Sequence, residues 1–315
     1  MQPVTSLEDL RLTQPTCLTI GAFDGVHRGH QALIGTMVAQ AHATGHSAVV
    51  VTFFPHPSVV LRGRRPSFYL STPEDKVEHL RALGVDAVVT HPFSREVAAI
   101  PAAEFVERLV TYAHLAELWC GEDFALGRNR EGDVEFLRAA GIRKGFSVHV
   151  VPPVLIDGEV ISSTRIRQTL RDGAVEQAAR YLGRPFRLAG QVIQGAQRGR
   201  KLGIPTANLS IWDEYAVPAV GVYACRAWIP GESQFHEAVV NIGFRPTFEG
   251  GEARPVVEAH LLDYSGDLYG SRLTLEFIER LRPEMKFPGV DALVAQIHRD
   301  IDQARHILAG GETHA

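Results

Sequence analysis

Two histidines lie three residues apart in the segment GAFDGVHRGH, directly after a short apolar run. Imidazoles beside a turn can donate hydrogen bonds to phosphate oxygens. Gly25 and Gly29 would let the backbone come close to a ligand, and a helix that begins here would add free N–H groups that favour an anion. The segment therefore indicates a phosphate site that includes His27 and His30.

Two other interpretations of this segment stay open. Zinc needs a third and a fourth ligand, for which His56 is the nearest candidate. The cysteines Cys17, Cys120 and Cys225 are far apart and show no CxxC spacing, so the ligand count disfavours zinc. A capped helix with two surface histidines would also explain a motif of this length.

A second segment, ISSTRIRQTL, places three hydroxyls before two arginines. Ser162, Ser163 and Thr164 can cap a helix, and Arg165 and Arg167 would lie in its first turn. Hydroxyls and a guanidinium at a helix start form another phosphate cradle. An ordinary capped helix with solvated arginines is the alternative for this segment taken alone.

The segment GAQRGRKLGIPTANL combines glycines, basic residues and two oxygen-bearing side chains in what we predict to be a loop. Gly199 and Gly203 permit backbone amides to surround a phosphate, and Lys201 supplies positive charge. Thr206 and Asn208 offer oxygens that suit Mg²⁺. The order of residues differs from a P-loop, and a flexible basic linker is the alternative.

Glu258 interrupts an otherwise apolar strand in VVEAHLLDYSGDLYG. Strand alternation puts it on the same face as Val256 and His260. A half-buried carboxylate is costly without a partner or a task, and removal of a proton from a substrate hydroxyl is such a task. An outward-facing residue on a polar strand face is the alternative.

The elements that position these residues change in character along the chain. In the first half, apolar runs such as TCLTIGAF and AVVVTFF alternate with helical patterns, which predicts a parallel, doubly wound α/β sheet. We expect the first strand to end at Phe23, the turn after it to contain Gly25 and Gly29, and the following helix to begin near residues 28–30. Thr72 and Pro73 are typical of a helix start.

After the segment ARYLGRPFRLAG, short alternating strands separated by turns such as PGES and YSGD predict an antiparallel sheet or barrel. A helix follows, whose apolar face we expect to include Val290, Leu293, Val294, Ile297, Ile301 and Ala304. The boundary near Gly183 divides the chain into domains 1–183 and 184–315.

Composition narrows the classes of function. The 315 residues are 45% hydrophobic and 22% charged, a normal globular balance, and the net charge of −4 argues against a general nucleic-acid-binding surface. The start of the chain lacks the apolar core of a secretory signal, and no apolar run approaches the ~20 residues of a membrane span. We therefore expect a cytoplasmic protein without a membrane or nucleic-acid partner.

Taken together, these motifs resemble a known family. GAFDGVHRGH with ISSTRIR resembles the His-x-Gly-His nucleotidyltransferases, and with VTFFPHP and GEDFALGRNREGD it is similar to the adenylyltransferase domain of bacterial bifunctional riboflavin kinase/FAD synthetases. GRKLGIPTANL, PAVGVYA, NIGFRPTF, VEAHLLDYSGDLYG and LRPEMKF resemble the riboflavin kinase domain of the same family. The resemblance covers residues 17–183 and 184–308.

For the first half, the resemblance implies transfer of AMP from ATP to FMN, which yields FAD and pyrophosphate. His27 and His30 would contact ATP phosphates, and Asp123 would lie near the nucleotide or a metal ion. The remaining implied contacts are phosphate contacts from Gly25, Gly29, Ser163, Thr164 and Arg167, and flavin contacts from Phe54 and His56. Phe54 and Leu126 depart from the family's usual residues, an acidic residue and a phenylalanine, and core packing at the end of an apolar strand is the alternative role for Phe54.

For the second half, the resemblance implies a six-stranded antiparallel barrel with a terminal helix that converts riboflavin and ATP to FMN and ADP. Glu258 would be the base for the ribityl hydroxyl, and Thr206 and Asn208 would hold Mg²⁺ and ATP phosphates. The other implied residues are Gly199, Lys201 and Gly203 in a nucleotide loop, and Asn241 and Arg245 in a flap over the substrates.

Three alternative functions stay open alongside the bifunctional one. The first half could act on another nucleotide, such as pantetheine phosphate or nicotinate nucleotide. It could have lost catalysis and left a monofunctional riboflavin kinase. The whole chain could be a non-catalytic flavin- or nucleotide-binding regulator. The sequence makes no prediction of the oligomeric state.

Overall fold

The computed structural model describes residues 4–63, 67–195, 203–245 and 254–310, with the backbone alone for Arg245 and Arg254. The chain forms two compact units. One comprises Met1–Arg65 and Ser71–Ser163, and the other comprises Pro66–Leu70 and Thr164–Ala315. Among the described residues, no helix is both long enough and apolar enough to cross a membrane.

The first unit is built on a five-stranded sheet in which every neighbouring pair is parallel and the order is β3-β2-β1-β4-β7. Its strands are β1 Thr16–Ile20, β2 Ser47–Phe54, β3 Ala87–Pro92, β4 Leu115–Gly121, β5 Ala125–Leu126, β6 Gly132–Asp133, β7 Ser147–Val151, β8 Leu155–Ile156 and β9 Glu159–Val160. Its helices are α1 Arg28–Thr44, α2 Pro57–Arg62, α3 Pro73–Ala82, α4 Arg95–Ala98, α5 Ala102–Ala113 and α6 Val134–Lys144. The predicted doubly wound parallel sheet is confirmed.

Both faces of the sheet are buried, because helices cover each side. All five residues of β1 are buried, and alternate ones enter opposite cores. Leu18 and Ile20 pack with α5 on one face, whereas Cys17 packs with α1 on the other. The continuous apolar character of β1 and β2 follows from this burial on both sides.

The ends of several elements follow local residue chemistry. The Thr72 hydroxyl accepts a hydrogen bond from the Asp75 N–H at 3.1 Å and caps α3, as the sequence predicts. The predicted end of the first strand at Phe23 is wrong, because β1 ends at Ile20 and Phe23 lies in the following loop. Gly29 lies in the first turn of α1 rather than in the preceding turn.

The second unit contains a closed six-stranded antiparallel barrel, which confirms the predicted change of architecture. The barrel order is β10-β11-β14-β13-β12-β15, with β10 and β15 paired to close it. The elements are α7 Ser163–Arg171, whose first residue belongs to the first unit, α8 Val175–Leu182, β10 Phe186–Ile193, β11 Ala207–Ile211, β12 Gly221–Trp228, β13 His236–Arg245, β14 Arg254–Leu261, β15 Arg272–Arg282 and α9 Val290–Gly310.

The terminal helix α9 packs on the outside of the barrel. Ala304 and Leu308 are buried against Val222 and Val239 of neighbouring strands. Val290, expected on the apolar face of this helix, is 57% exposed because it is the first helical residue and extends beyond that contact. The outward-facing side chains of β12 and β13 are therefore partly apolar.

Candidate functional site

The first unit gathers polar side chains at the carboxyl edge of its parallel sheet. Strands β1, β2 and β4 are neighbours and run in the same direction, so the segments that follow them meet at this edge. The loop 21–27 follows β1, Phe54 ends β2, and Asp123 lies two residues after β4. Ligands of open α/β sheets collect at this edge.

The loop after β1 has an unusual backbone conformation. Phe23, Gly25 and Val26 have φ angles of 46°, 78° and 40°. The left-handed region is unfavourable for a β-branched residue, at a cost of about 1–3 kcal/mol, so the surrounding structure must hold Val26 in place. Burial of Phe23 and Val26, which are 4% and 1% exposed, supplies that constraint.

The two histidines are stacked on each other at the start of α1. Their ring centroids are 3.5 Å apart with an angle of 19° between the planes, and Phe23 meets His30 edge-on at 5.1 Å. The His27 Nδ1 accepts a hydrogen bond from the backbone N–H of His30 at 3.4 Å, so His27 is the N-cap of the helix. Because Nδ1 is an acceptor, the hydrogen of the neutral ring lies on Nε2, where it can serve as a donor.

His30 is poised as a neutral imidazole. Burial of the ring, followed by the electrostatic effects of the neighbouring His27 and Lys76, holds its pKa well below the usual value. Its Nδ1 is buried, and among the described residues it has no hydrogen-bond partner. A buried ring nitrogen without a partner is unfavourable in the free protein, and a ligand group beside it would relieve that cost.

Lys76 is a residue of this edge that the sequence analysis missed. It reaches from α3 and donates hydrogen bonds to the carbonyls of Ala22 at 3.1 Å and Phe53 at 2.9 Å. It is 6% exposed, and burial lowers its pKa from the usual 10.5 to about 8, although the Asp24 carboxylate acts in the opposite direction. Lys76 therefore joins the loop after β1 to the end of β2, and it lies close enough to His30 to lower the pKa of that ring.

The start of the second sequence motif lies against the first. The Ser163 hydroxyl donates to the Asp24 carbonyl at 2.9 Å, and a side chain at Gly29 would approach the Ile161 carbonyl at 3.8 Å. The structure thus brings Ser163 to the loop that carries the histidines. Thr164 is exposed and belongs to the second unit.

Arg167 also belongs to the second unit, where it is 8% exposed. Its Nε donates to the Phe68 carbonyl at 2.6 Å, and its guanidinium lies 4.0 Å over the Phe68 ring. The phosphate role of this arginine stays a prediction.

The predicted flavin contacts of the first unit lie at the end of β2. Phe54 is half-buried, and the half-buried His56 caps α2 by accepting a hydrogen bond from the Ser58 N–H at 3.0 Å. Asp123 is exposed, and its carbonyl accepts a hydrogen bond from Arg130 at 2.6 Å. Leu126 is buried in the core, with 7% of its surface exposed.

Three predicted residues of the second half lie at one level of the barrel. In the strand register, Glu258 is opposite Asn208 on one side and opposite Asn241 on the other. Residues directly opposite each other project from the same face of a sheet. This face also carries Val222, which is opposite Asn241 and packs against α9, so it is the outer face of the barrel.

Asn208 lies within a strand, which corrects the prediction of a loop. Strand β11 begins at Ala207, and Asn208 is 8% exposed. Asn208 is paired with Glu258 in the ladder between β11 and β14. The glycine-rich sequence before Asn208 gives no local sign of this pairing. Gly195 lies so close that a Cβ at this position would overlap the Asn208 amide group.

The remaining predicted residues are placed in part. Thr206 is exposed immediately before β11, and Gly203 is exposed with a φ angle of 75°. Gly199 and Lys201 lie outside the described residues, as does the side chain of Arg245. His260, two residues after Glu258, makes a hydrogen-bond contact with the Pro205 carbonyl at 2.7 Å and so connects β14 to the segment before Thr206.

These arrangements define what each unit can do chemically. The first has imidazole donors, a buried cation and a helix start around one loop, which suit the charge of a phosphate chain. The second has a carboxylate between two amides, with a hydroxyl nearby in sequence. Oxygen donors of this kind suit a hard cation such as Mg²⁺, and the carboxylate suits proton abstraction.

Comparison with known proteins gives two family matches, one in each half. The FAD synthetase family model matches residues 10–165, and the riboflavin kinase family model matches residues 182–308. A bifunctional riboflavin kinase/FMN adenylyltransferase of Pseudomonas fluorescens is 40% identical over 98% of this chain and 98% of its own length. Proteins of the same name from Escherichia coli K12 and Bacillus subtilis 168 are 37% and 35% identical, over 92% and 91% of this chain and 92% and 90% of their own.

One solved structure resembles the chain over nearly its whole length. A Streptococcus pneumoniae protein described as a macrolide-efflux protein superimposes with a TM-score of 0.88 at 31% identity, covering 96% of this chain and 98% of its own. Its description differs from the names of the sequence relatives. The family assignment therefore rests on the two family matches and on the relatives aligned over the full length.

Proposed function

The chain belongs to the family of bifunctional riboflavin kinase/FMN adenylyltransferases, and we propose that it carries out both reactions. It phosphorylates riboflavin with ATP to give FMN and ADP. It then transfers AMP from a second ATP to FMN, which gives FAD and pyrophosphate. The small-molecule partners are therefore riboflavin, FMN, FAD and ATP.

Adenylyl transfer takes place at the loop that carries His27 and His30. The FMN phosphate is already anionic, so it can attack the α-phosphorus without a strong base. The imidazoles donate hydrogen bonds to phosphate oxygens and stabilise the charge that develops there. Ser163, in the same unit, holds the departing pyrophosphate, and Asp123 lies near the nucleotide.

Gly25 and Gly29 allow the backbone to approach the phosphates. Phe54 and His56 contact the flavin from the end of β2. This assignment is supported by the sheet, because β2 ends at the same edge as β1.

Riboflavin phosphorylation takes place at the outer face of the barrel around Glu258. The carboxylate accepts the proton of the terminal ribityl hydroxyl as the oxygen attacks the γ-phosphorus, and ADP leaves. Asn241 orients the substrates from the neighbouring strand, and Arg245 lies on the same strand. Gly199, Lys201 and Gly203 form the nucleotide loop.

Thr206 and Asn208 would hold Mg²⁺ in the kinase site. The donor set fits this ion, because both residues offer oxygens and the Glu258 carboxylate lies opposite Asn208 in the register. When bound, Mg²⁺ neutralises phosphate charge. The close approach of Gly195 to the Asn208 amide supports a fixed position for that ligand.

We place the functional division between the two activities near Gly183, at residues 1–183 and 184–315. The left-handed conformation of Gly183 at the end of α8, and the riboflavin kinase family match, which begins at residue 182, support this division. We also propose a cytoplasmic location without a nucleic-acid partner, which the described free cysteines Cys17, Cys120 and Cys225 and the net charge of −4 support.

The proposal rests on the stacked pair of His27 and His30 at the carboxyl edge of the sheet, because this pair distinguishes the bifunctional enzyme from the main alternative. That alternative is a monofunctional riboflavin kinase whose first half has a changed or lost specificity. A first half without catalysis would not be expected to keep a buried, neutral imidazole next to a strained loop.

The test is to incubate the pure protein with riboflavin, ATP and Mg²⁺ and to follow the flavins by chromatography. We expect FMN to appear first and FAD to follow. Accumulation of FMN alone, with added FMN also left unconverted, would establish the monofunctional alternative. Binding of riboflavin or ATP without any turnover would establish the non-catalytic one.

A further inference from the structure

Three metal-ligating side chains meet at the amino edge of the parallel sheet, the edge opposite the histidine motif. Cys17 is the second residue of β1 and is paired in register with Glu117 of β4. His46 directly precedes β2, whose first residue is paired with the first residue of β1. Among the described residues, this is the only set of three potential ligand atoms from His, Cys, Asp or Glu that lie within 4.8 Å of one another.

The spacing within this cluster matches tetrahedral coordination. The Cys17 Sγ lies 3.6 Å from the His46 Nδ1. A thiolate at ~2.3 Å and an imidazole at ~2.0–2.1 Å from one tetrahedral ion would be about 3.6 Å apart. A thiol–imidazole hydrogen bond has a similar length, so Glu117 is the observation that points beyond a simple pair.

The Glu117 carboxylate is oriented by surrounding groups. It accepts a hydrogen bond from the Trp119 Nε1 at 3.1 Å, and the Gln40 side chain donates to its other oxygen at 3.5 Å. The His149 Nε2 lies 3.3 Å from the carboxylate, and its ring stacks on Trp119 at 4.4 Å. Hydrogen bonds of this kind hold ligating carboxylates in metal sites.

The cluster is shielded from solvent on the side of Cys17. This residue is completely buried, and it is paired in register with Glu117. A divalent cation bound here would offset the charge of the carboxylate and bind the deprotonated sulfur at the same time.

We propose that Cys17, His46 and Glu117 bind a divalent transition-metal ion, with Zn²⁺ as the preferred ion and water as the fourth ligand. A thiolate, an imidazole and a carboxylate together suit Zn²⁺ rather than Mg²⁺. Binding releases the Cys17 proton to solvent and changes no oxidation state. The ion joins the starts of three strands and stabilises the sheet without taking part in either reaction.

Cobalt is the probe that reports this site directly. The full-length protein, freed of metal with a chelator, is titrated with Co²⁺, and the thiolate-to-cobalt charge-transfer band is recorded in the near ultraviolet. We expect the band to saturate at one ion per chain, to disappear in Cys17→Ala and to persist in Cys120→Ala. Cys120 is a matched control, because it is also buried and its thiol pKa is raised to about 11 by burial.

A second pair of variants keeps the test valid if Cys17→Ala unfolds the sheet. His46→Gln and Glu117→Gln preserve side-chain volume closely, and both positions are partly exposed. We expect each to weaken Zn²⁺ binding by at least about tenfold, measured by competition with a chromophoric chelator. FMN adenylylation, assayed with Mg²⁺ on protein freed of Zn²⁺, should be the same in these variants as in the wild type.

Three outcomes would overturn the site. The first is that the wild-type protein shows no thiolate band. The second is that the band persists in Cys17→Ala. The third is that Zn²⁺ binding is lost in His30→Ala but kept in Glu117→Gln, which would assign the ion to the histidine motif at the other edge.

Discussion

Glu258 is flanked by two amides in the barrel. The strand register places Asn208 on one side of it and Asn241 on the other, and amides can orient a carboxylate by hydrogen bonds. A carboxylate in such a position is suited to accepting a proton from a substrate hydroxyl.

Replacement of this carboxylate should separate the two activities. In Glu258→Gln we expect riboflavin phosphorylation to fall by about 10²–10⁴-fold, the usual contribution of a positioned base, while FMN-to-FAD conversion continues. The two rates are measured separately by chromatography, with Glu237→Gln on β13 as the control for a charge change on the barrel. Equal loss of both activities in a folded variant would contradict the assignment.

The reciprocal change concerns the stacked histidines. In His30→Ala we expect FAD formation to fall by about 10²–10³-fold, because donors to the developing phosphate charge are lost, and the kinase rate to stay the same. His42→Ala is the matched control, since His42 lies on the same helix and is half exposed. An adenylylation rate equal to that of the wild type would remove the phosphate role of His30.

The buried Lys76 should leave a signature in the pH dependence of stability. Its folded pKa of about 8 lies below its usual 10.5, so between these pH values the unfolded chain holds a proton that the folded chain has released. The contribution of Lys76 to the free energy of unfolding therefore rises with pH across this window, by about 3 kcal/mol in total. Below pH 8 both states are protonated and the contribution is constant.

Urea unfolding of the wild type and of Lys76→Met at pH 7 and pH 10 measures this effect. We expect the wild type to gain stability relative to the variant as the pH rises, whereas Lys144→Met, which removes a surface lysine, shows no such difference. Parallel pH dependences for wild type and Lys76→Met would mean that Lys76 keeps an ordinary pKa.

At the scale of elements, the sequence predicted what depends on local patterns. The continuous apolar runs of β1 and β2 and the Thr72 cap of α3 follow from neighbouring residues, and the structure confirms them. The strand β11 was missed because its evidence is the ladder to β14, a contact between residues far apart in the chain. Lys76 was missed for the same reason, because helical periodicity treats a lysine as an outward-facing residue although its ammonium bonds carbonyls of two other segments.

The contact between the end of β10 and the start of β11 gives a prediction at this scale. Gly195→Ala should displace the Asn208 amide and lower the kinase rate by up to about 10²-fold, since small misplacements of a positioned ligand are costly. FMN adenylylation should be unaffected. Gly289→Ala is the matched control, because a Cβ there has no neighbour within 4 Å among the described residues. Equal kinase rates in the two variants would show that Asn208 can move without consequence.

At the scale of the whole molecule, the chain joins two units that each have their own fold and their own polar site. One is a parallel sheet with helices on both faces, and the other is a closed antiparallel barrel. The change of strand pattern along the sequence predicted a parallel sheet followed by an antiparallel sheet or barrel, and the family resemblance implied that the second was a six-stranded barrel. The placement of Phe68 with the second unit, where it contacts Arg167, was not predictable, because it depends on a contact across 99 residues of chain.

Since each site is built from its own unit, FMN released by one molecule should serve as substrate for another. Glu258→Gln alone should leave riboflavin unchanged, and His30→Ala alone should stop at FMN. We expect an equimolar mixture of the two variants to convert riboflavin to FAD after a lag that shortens as the protein concentration rises, since FMN must accumulate in solution before the second reaction begins. Chromatography of the flavins over time measures the lag, and FMN added at the start should abolish it. The contrary outcome has two parts: the mixture accumulates FMN but forms no FAD, and Glu258→Gln alone still converts added FMN. That result would show that FMN made by one molecule does not reach another through solution.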